Sequence, residues 1–115
     1  MASTQTKKHT ASHKFARIAP RKARLVADLI RGKSVDQALT ELEFTKKRGA
    51  YFLRYVLRSA ISQAEQANVD PGRLYVSESR VDEGPTIKRF QPKDRGRSHP
   101  IMKRTSHIHV SVDVR

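Results

Sequence analysis

The sequence GPTIKRFQPKDRGRSHPIMKRT, residues Gly84–Thr105, is a basic segment between two runs that are typical of β-strands. Its 22 residues include seven Lys or Arg and one acid, Asp94. Its four large apolar residues are scattered and its three prolines interrupt them, so the segment has too little apolar surface to form a core. We therefore predict a long basic arm that projects from a folded body and lies against a polyanion.

The two runs that bracket the arm predict its shape. One extends from Leu74 to about Glu83, and the other, Ile108–Val114, has an apolar residue at every second position, which predicts one buried face and one wet face. We expect the two runs to pair as an antiparallel hairpin whose limbs continue into the arm. With about 11 residues in each limb, the arm would reach roughly 35 Å, with its tip near Asp94–Gly96.

The middle of the chain shows the apolar spacing of three helices. The first is predicted to begin at Pro20 and to end at Gly32, where a C-terminal glycine is favoured. Ser34 suits the N-cap of the second helix, and Gln37 three residues later fits a capping box. The third helix, roughly Lys47–Ala67, is expected to bury one continuous apolar stripe. The stripe consists of Leu53, Val56, Leu57, Ala60, Ile61 and Ala64.

These elements together predict an α+β fold. An early strand near Ser12–Ile18 would join the two later strands, so that three helices pack on a small antiparallel three-stranded sheet with a long projecting basic β-hairpin. A length of 115 residues suits one modest core, and the sequence shows neither an internal repeat nor a long linker. We therefore predict a single domain over residues 1–115, with residues 84–105 as a hairpin arm within it.

The net charge of +13 is divided unevenly along the chain. Lys7–Arg24 contains seven basic residues and no acid, whereas Asp28–Glu83 contains nine basic and nine acidic residues. The arm then adds its seven basic residues against one acid. A neutral scaffold between two basic segments favours nucleic acid as the partner. No apolar run approaches the ~20 residues of a transmembrane helix, and we expect no membrane partner.

Candidate polyanion-binding residues lie in both basic segments. Cations in the first turn of a helix oppose its macrodipole, which favours a bound anion over a helix-stabilising role. Lys and Arg of the arm suit phosphate, and Phe90 is equally compatible with base stacking and with packing. A solvated, flexible basic loop stays the alternative for the arm. The candidate binding residues are Lys14, Arg17, Arg21, Lys22, Arg24, Lys88, Arg89, Lys103, Arg104, Thr105 and His107. The candidate tip residues are Phe90, Gln91, Pro92, Lys93, Asp94, Arg95, Gly96 and Arg97.

The sequence offers no constellation for catalysis or for a metal. The chain has no cysteine, and no carboxylate is spaced to complete a tetrahedral metal site with the histidines, which fit hydrogen-bonding or phosphate-facing roles better. Asp82 and Glu83 are adjacent on a strand and so point to opposite faces, which argues against an acid/base pair and fits either a strand end or a partner for a nearby Arg. We therefore predict a non-enzymatic chain without cofactor, metal or small-molecule substrate.

Three segments resemble one protein family. They are RKARLVADLIRGK at Arg21–Lys33, VDEGPTIKRFQPKDRGR at Val81–Arg97 and KRTSHIHV at Lys103–Val110. Their order and spacing are similar to those of the bacterial-type large-subunit ribosomal protein twenty-two family over nearly the whole chain. The resemblance implies a small α+β body on the outer part of the large subunit that binds rRNA early in assembly. It also implies a long hairpin that lines the polypeptide exit tunnel.

The resemblance further implies the partners of this chain. These are large-subunit rRNA, neighbouring large-subunit ribosomal proteins and the nascent polypeptide, which the tip of the arm would face. The implied location is the cytoplasmic ribosome. An organellar ribosome stays open, because the acid-free start of the chain also has the composition of a transit peptide. A DNA-architectural protein with a basic β-ribbon arm is the alternative function.

Two positions depart from the pattern of that family. Ala19 stands before the helix-opening proline, where the family commonly has Ser, and the exchange removes an N-cap worth ~1 kcal/mol. Asp94 places an acid near a tip that is usually basic or neutral. A direct phosphate contact is therefore not expected at Asp94.

Overall fold

The computed structural model describes residues 8–93 and 97–114, with the backbone alone for residues 88–93 and 97–102. The order of elements along the chain is one strand, three helices and four strands, with a short 3-10 turn before the second strand. The elements are β1 His9–Ala16, α1 Pro20–Ile30, α2 Val35–Phe44, α3 Arg48–Gln66, β2 Leu74–Glu83, β3 Ile87–Lys93, β4 Arg97–Lys103 and β5 Ser106–Val114. The predicted α+β fold is confirmed.

The body contains an antiparallel sheet in the order β1-β5-β2. Its register pairs His9 with Val112 on one side of β5 and Val81 with Ile108 on the other. The early strand was predicted near Ser12–Ile18, but β1 starts and ends earlier in the sequence. The pairing of β1 with β5 is irregular between His13 and Ala16 and resumes at Ala16, opposite Ser106.

The central strand, β5, is more buried than its alternating pattern predicts. Ile108 and Val110 are buried on the helix side, as expected. The other face is not uniformly wet, because Ser111 and Asp113 are only 3% and 6% exposed. Ser111 lies opposite Thr10 of β1 and Glu78 of β2, with its hydroxyl 2.8 Å from that of Thr10, and Asp113 lies opposite Tyr75 of β2. The prediction of a wet face is therefore wrong for these two residues.

Local chemistry sets the limits of the first two helices. Pro20 is the first residue of α1, and Gly32 follows the helix with a φ of +82°, a conformation that favours glycine. The Gly32 amide then donates to the Val76 carbonyl at 2.9 Å, which ties the turn to β2. The Ser34 hydroxyl accepts a hydrogen bond from the backbone amide of Gln37 at 3.4 Å and so caps α2. All three predicted signals are confirmed.

The third helix contributes as many buried residues as the other two helices together. Every residue of its predicted stripe is buried, and α3 packs on β1 and β5 while α1 packs on β2. Gly49 in its first turn allows α1 and α3 to approach closely, since a Cβ there would lie 3.1 Å from Cγ2 of Val26. This close approach brings the start of α3 beside the start of α1. Among the described helices, none combines the length and the apolar character needed to cross a membrane.

The arm forms a separate two-stranded antiparallel ribbon of β3 and β4. Its pairing runs from Ile87 opposite Lys103 to Lys93 opposite Arg97. The predicted hairpin is therefore confirmed over these strands, whereas its predicted tip, Asp94–Gly96, lies outside the described residues. The principal extents of 69 × 34 × 20 Å show how elongated the chain is.

Candidate nucleic-acid interface

A basic groove of about 720 Å³ lies where α1, α3 and the base of the arm meet. Six of its ten lining residues are Lys or Arg and none is acidic. The residues are Arg17, Ile18, Ala19, Lys22, Leu25, Lys47, Arg48, Gly49, Lys103 and Arg104. A concave surface lined by one sign of charge attracts and concentrates counter-ions of the opposite sign. The groove is thus suited to phosphate.

Two helix N-termini open onto this basic groove. Ala19 is the N-cap of α1 and Lys47 is the N-cap of α3, and neither side chain makes a capping hydrogen bond. Neither helix has an acidic residue in its first turn. The positive end of each macrodipole therefore faces the same space as the six cations. Backbone and side chains act together to favour an anion there.

The structure brings four of the predicted binding residues together. Arg17 and Lys22 line the groove from the N-terminal segment, and Lys103 and Arg104 line it from the end of β4 and the residue that follows. They are far apart in sequence, and the sheet and α1 place them at one site. Arg21 and Lys14 are exposed, but they do not line the groove.

Three other predicted residues make contacts within the body. The Arg24 Nε donates to the Val81 carbonyl at 3.2 Å and so joins α1 to β2. Thr105 is buried, and its hydroxyl donates to the Pro85 carbonyl at 2.6 Å at the base of the arm. His107 Nδ1 accepts the backbone amide of Phe15 at 3.1 Å. RNA contacts by these three side chains remain predictions.

Seven other predicted arm residues lie on the described part of the ribbon. Their roles remain predictions, because the structure describes only the backbone of residues 88–93 and 97–102. The ribbon residues are Lys88, Arg89, Phe90, Gln91, Pro92, Lys93 and Arg97. Asp94, Arg95 and Gly96 lie outside the described residues.

Sequence reasoning missed Lys47 and Arg48 as groove residues. They lie within Asp28–Glu83, a segment with a net charge of zero, and the net charge does not show where individual cations lie. The available signal was the run of three consecutive cations, Lys46–Arg48, immediately before the long helix. The close packing of Gly49 against α1 then carries this run to the groove.

A serine, a histidine and an aspartate form a chain of contacts across the three strands of the sheet. The Ser12 hydroxyl lies 2.7 Å from His109 Nδ1, and His109 Nε2 lies 3.3 Å from an Asp82 carboxylate oxygen. Asp82 is shared with Arg80, whose Nε is 3.5 Å away, so the predicted pairing with a nearby Arg is confirmed. The set lies outside the basic groove and links β1, β5 and β2. Among the described residues, no group of three or more His, Asp or Glu could hold a metal ion.

Comparison with known proteins assigns the family. The family model described as Ribosomal protein L22p/L17e matches residues 11–113. A protein of Ligilactobacillus salivarius named Large ribosomal subunit protein uL22 is 55% identical over 106 residues, covering 91% of this chain and 92% of the relative. Proteins of the same name from Lacticaseibacillus casei (54% identical; 90% and 89% covered) and Rubrobacter xylanophilus (58%; 83% and 76%) are also similar. The chain therefore belongs to the Ribosomal protein L22p/L17e family, as its three motif segments indicated.

Proposed function

We propose that this chain binds large-subunit rRNA through the basic groove and the arm, as a structural, non-enzymatic constituent of the large ribosomal subunit. The acid-free groove at two uncapped helix N-termini is the observation that carries the proposal. Membership of a ribosomal protein family supports a place in the ribosome, with rRNA and other ribosomal proteins as partners. The relatives lend no support to the DNA-architectural alternative.

The groove suits the sugar-phosphate backbone more than a base. Arg17, Arg48 and Arg104 carry guanidinium groups that can grip phosphate oxygens in a bidentate fashion, and the lysines supply point charge. The positive ends of the α1 and α3 macrodipoles add to this attraction without any side-chain rearrangement. Each phosphate neutralised releases counter-ions, so the affinity should fall steeply as salt increases.

We further propose that the arm lines the polypeptide exit tunnel and that its tip meets the nascent polypeptide. The support is the ribbon of β3 and β4 at the end of a body that already offers an RNA-binding groove at the base of the arm. If RNA holds the body at the base of the arm, the extended two-stranded ribbon is the part of the chain that can extend beyond this contact, toward the tunnel.

The salt dependence of rRNA binding tests the groove. The Lys22→Ala/Lys47→Ala double variant removes two groove cations, and Lys33→Ala/Lys46→Ala removes two lysines that do not line the groove. Binding of a large-subunit rRNA fragment is measured over a series of salt concentrations. The groove variant should lower the slope of log affinity against log salt by about 1 to 2, while the control changes it little. Equal slopes in both variants would contradict the proposed contact.

A further inference from the structure

Phe15 combines two unfavourable features in one residue. Phe15 is 59% exposed to solvent, and its backbone φ is +61°, in the left-handed region. A bulky side chain with a positive φ is an outlier, and an exposed phenyl ring gains little from the hydrophobic effect. Such strain persists only where the surrounding structure enforces it, and it clusters at sites that contact ligands.

His107 holds Phe15 in this conformation. The Phe15 backbone amide donates a hydrogen bond to His107 Nδ1 at 3.1 Å. The two rings are perpendicular, with centroids 4.9 Å apart. The irregular pairing of β1 between His13 and Ala16 is what frees the Phe15 backbone to turn outward. The contacts therefore fix the direction of an apolar ring that is left in water.

We propose that Phe15, braced by His107, is a stacking platform for an unpaired RNA base. Unpaired bases are commonly recognised on aromatic rings, and such stacking tolerates any base because each has a π face. The proposal rests on the rRNA-binding function proposed above and adds a contact with a base to contacts with phosphate.

The surroundings of Phe15 favour a nucleic acid over an apolar protein partner. Lys14 and Arg17 flank it in sequence, and Arg17 lines the basic groove. His107 also lies at the base of the arm, since a Cβ added to Gly84 would be 3.3 Å from Cε1 of His107. A strand whose phosphates occupy the groove could therefore place a neighbouring base on the ring.

The test removes the ring while keeping the backbone conformation. Asn tolerates a positive φ well, so Phe15→Asn should fold, and circular dichroism checks that it does. The full chain is titrated with short single-stranded oligoadenylate and with the same strand in an RNA duplex. We expect Phe15→Asn to lose about tenfold in affinity for the single strand with an unchanged salt slope, and to keep its affinity for the duplex. Phe15→Tyr, which retains an aromatic ring, should keep the wild-type affinity for the single strand.

Phe44→Ala is the matched control, because Phe44 is 79% exposed and lines a cavity that contains Asp36 and Glu41. It should leave single-strand binding unchanged. Wild-type affinity in Phe15→Asn would overturn the platform, and the ring would then fit a protein partner instead. An equal loss for single strand and duplex would overturn it as well. Failure of the proposed rRNA binding would be seen in a different experiment, as an unchanged slope of log affinity against log salt in the Lys22→Ala/Lys47→Ala variant.

Discussion

The Thr105 hydroxyl donates a 2.6 Å hydrogen bond to the Pro85 carbonyl, across the two chain segments that leave the body for the arm. The Gly84 amide donates to the Thr105 carbonyl at 2.9 Å and completes the link. Thr105 is only 2% exposed, whereas Pro85 is exposed, so the hydroxyl bond is partly shielded from water. The arm thus starts from a closed, hydrogen-bonded base.

Gly84→Ala should damage this base. The added Cβ would lie 2.5 Å from the Thr105 hydroxyl oxygen and 3.3 Å from its backbone carbon, so the hydroxyl or the strand must move. We expect a loss of about 1–3 kcal/mol in the free energy of unfolding, measured with urea, as for other overpacked sites. Faster proteolysis within the arm should accompany it. Gly72→Ala is the control, because its nearest contact would be an ordinary 3.4 Å to Asp70; a similar loss there would contradict the steric explanation.

Replacing residues 86–104 by a short turn should leave the body folded. The buried apolar residues of the described chain come from β1, α1–α3, β2, β5 and the segment after β1, and none of these is removed. We expect the helical circular dichroism signal and one cooperative urea transition to be retained. Leu53→Ala serves as the positive control for core damage, with an expected loss of about 2–5 kcal/mol. Collapse of the helical signal in the shortened chain would show that the arm is part of the folding unit.

Ala19→Ser should stabilise the protein by about 1 kcal/mol. Ala19 already has the extended φ and ψ of an N-cap, −65° and 135°, but lacks a side-chain acceptor for the amides of α1. Ser34→Ala, which removes the existing cap of α2, should lose a similar amount in the same urea titration. If Ala19→Ser has no effect on stability, the first turn of α1 does not need a cap.

Features that local chemistry determines could be predicted from the sequence. Gly32 and Ser34 mark helix limits because a positive φ and a side-chain cap depend on one or two residues. The conformation of Phe15 could not be predicted in this way. It depends on a hydrogen bond to His107, which is remote in sequence and becomes a neighbour only when β1 pairs with β5.

The groove shows the same limit. Arg17 and Arg104 were each predicted to bind a polyanion, but their proximity depends on the sheet and on α1. Lys47 joins them because Gly49 allows α3 to start close to α1, which is a property of packing rather than of spacing. The low exposure of Ser111 and Asp113 is likewise not revealed by the alternation of β5.

The central position of β5 has a mechanical consequence. A pull on the arm enters the body through β2 and β5, because short connections join these strands to its two limbs. Such a pull draws β2 and β5 in the same direction, so it acts in shear on the ladder between β5 and β1, whose hydrogen bonds share the load. β5 also carries Ile108 and Val110 into the core, and slippage by one residue would turn both toward water. The body is therefore built as an anchor that resists extraction of its own arm.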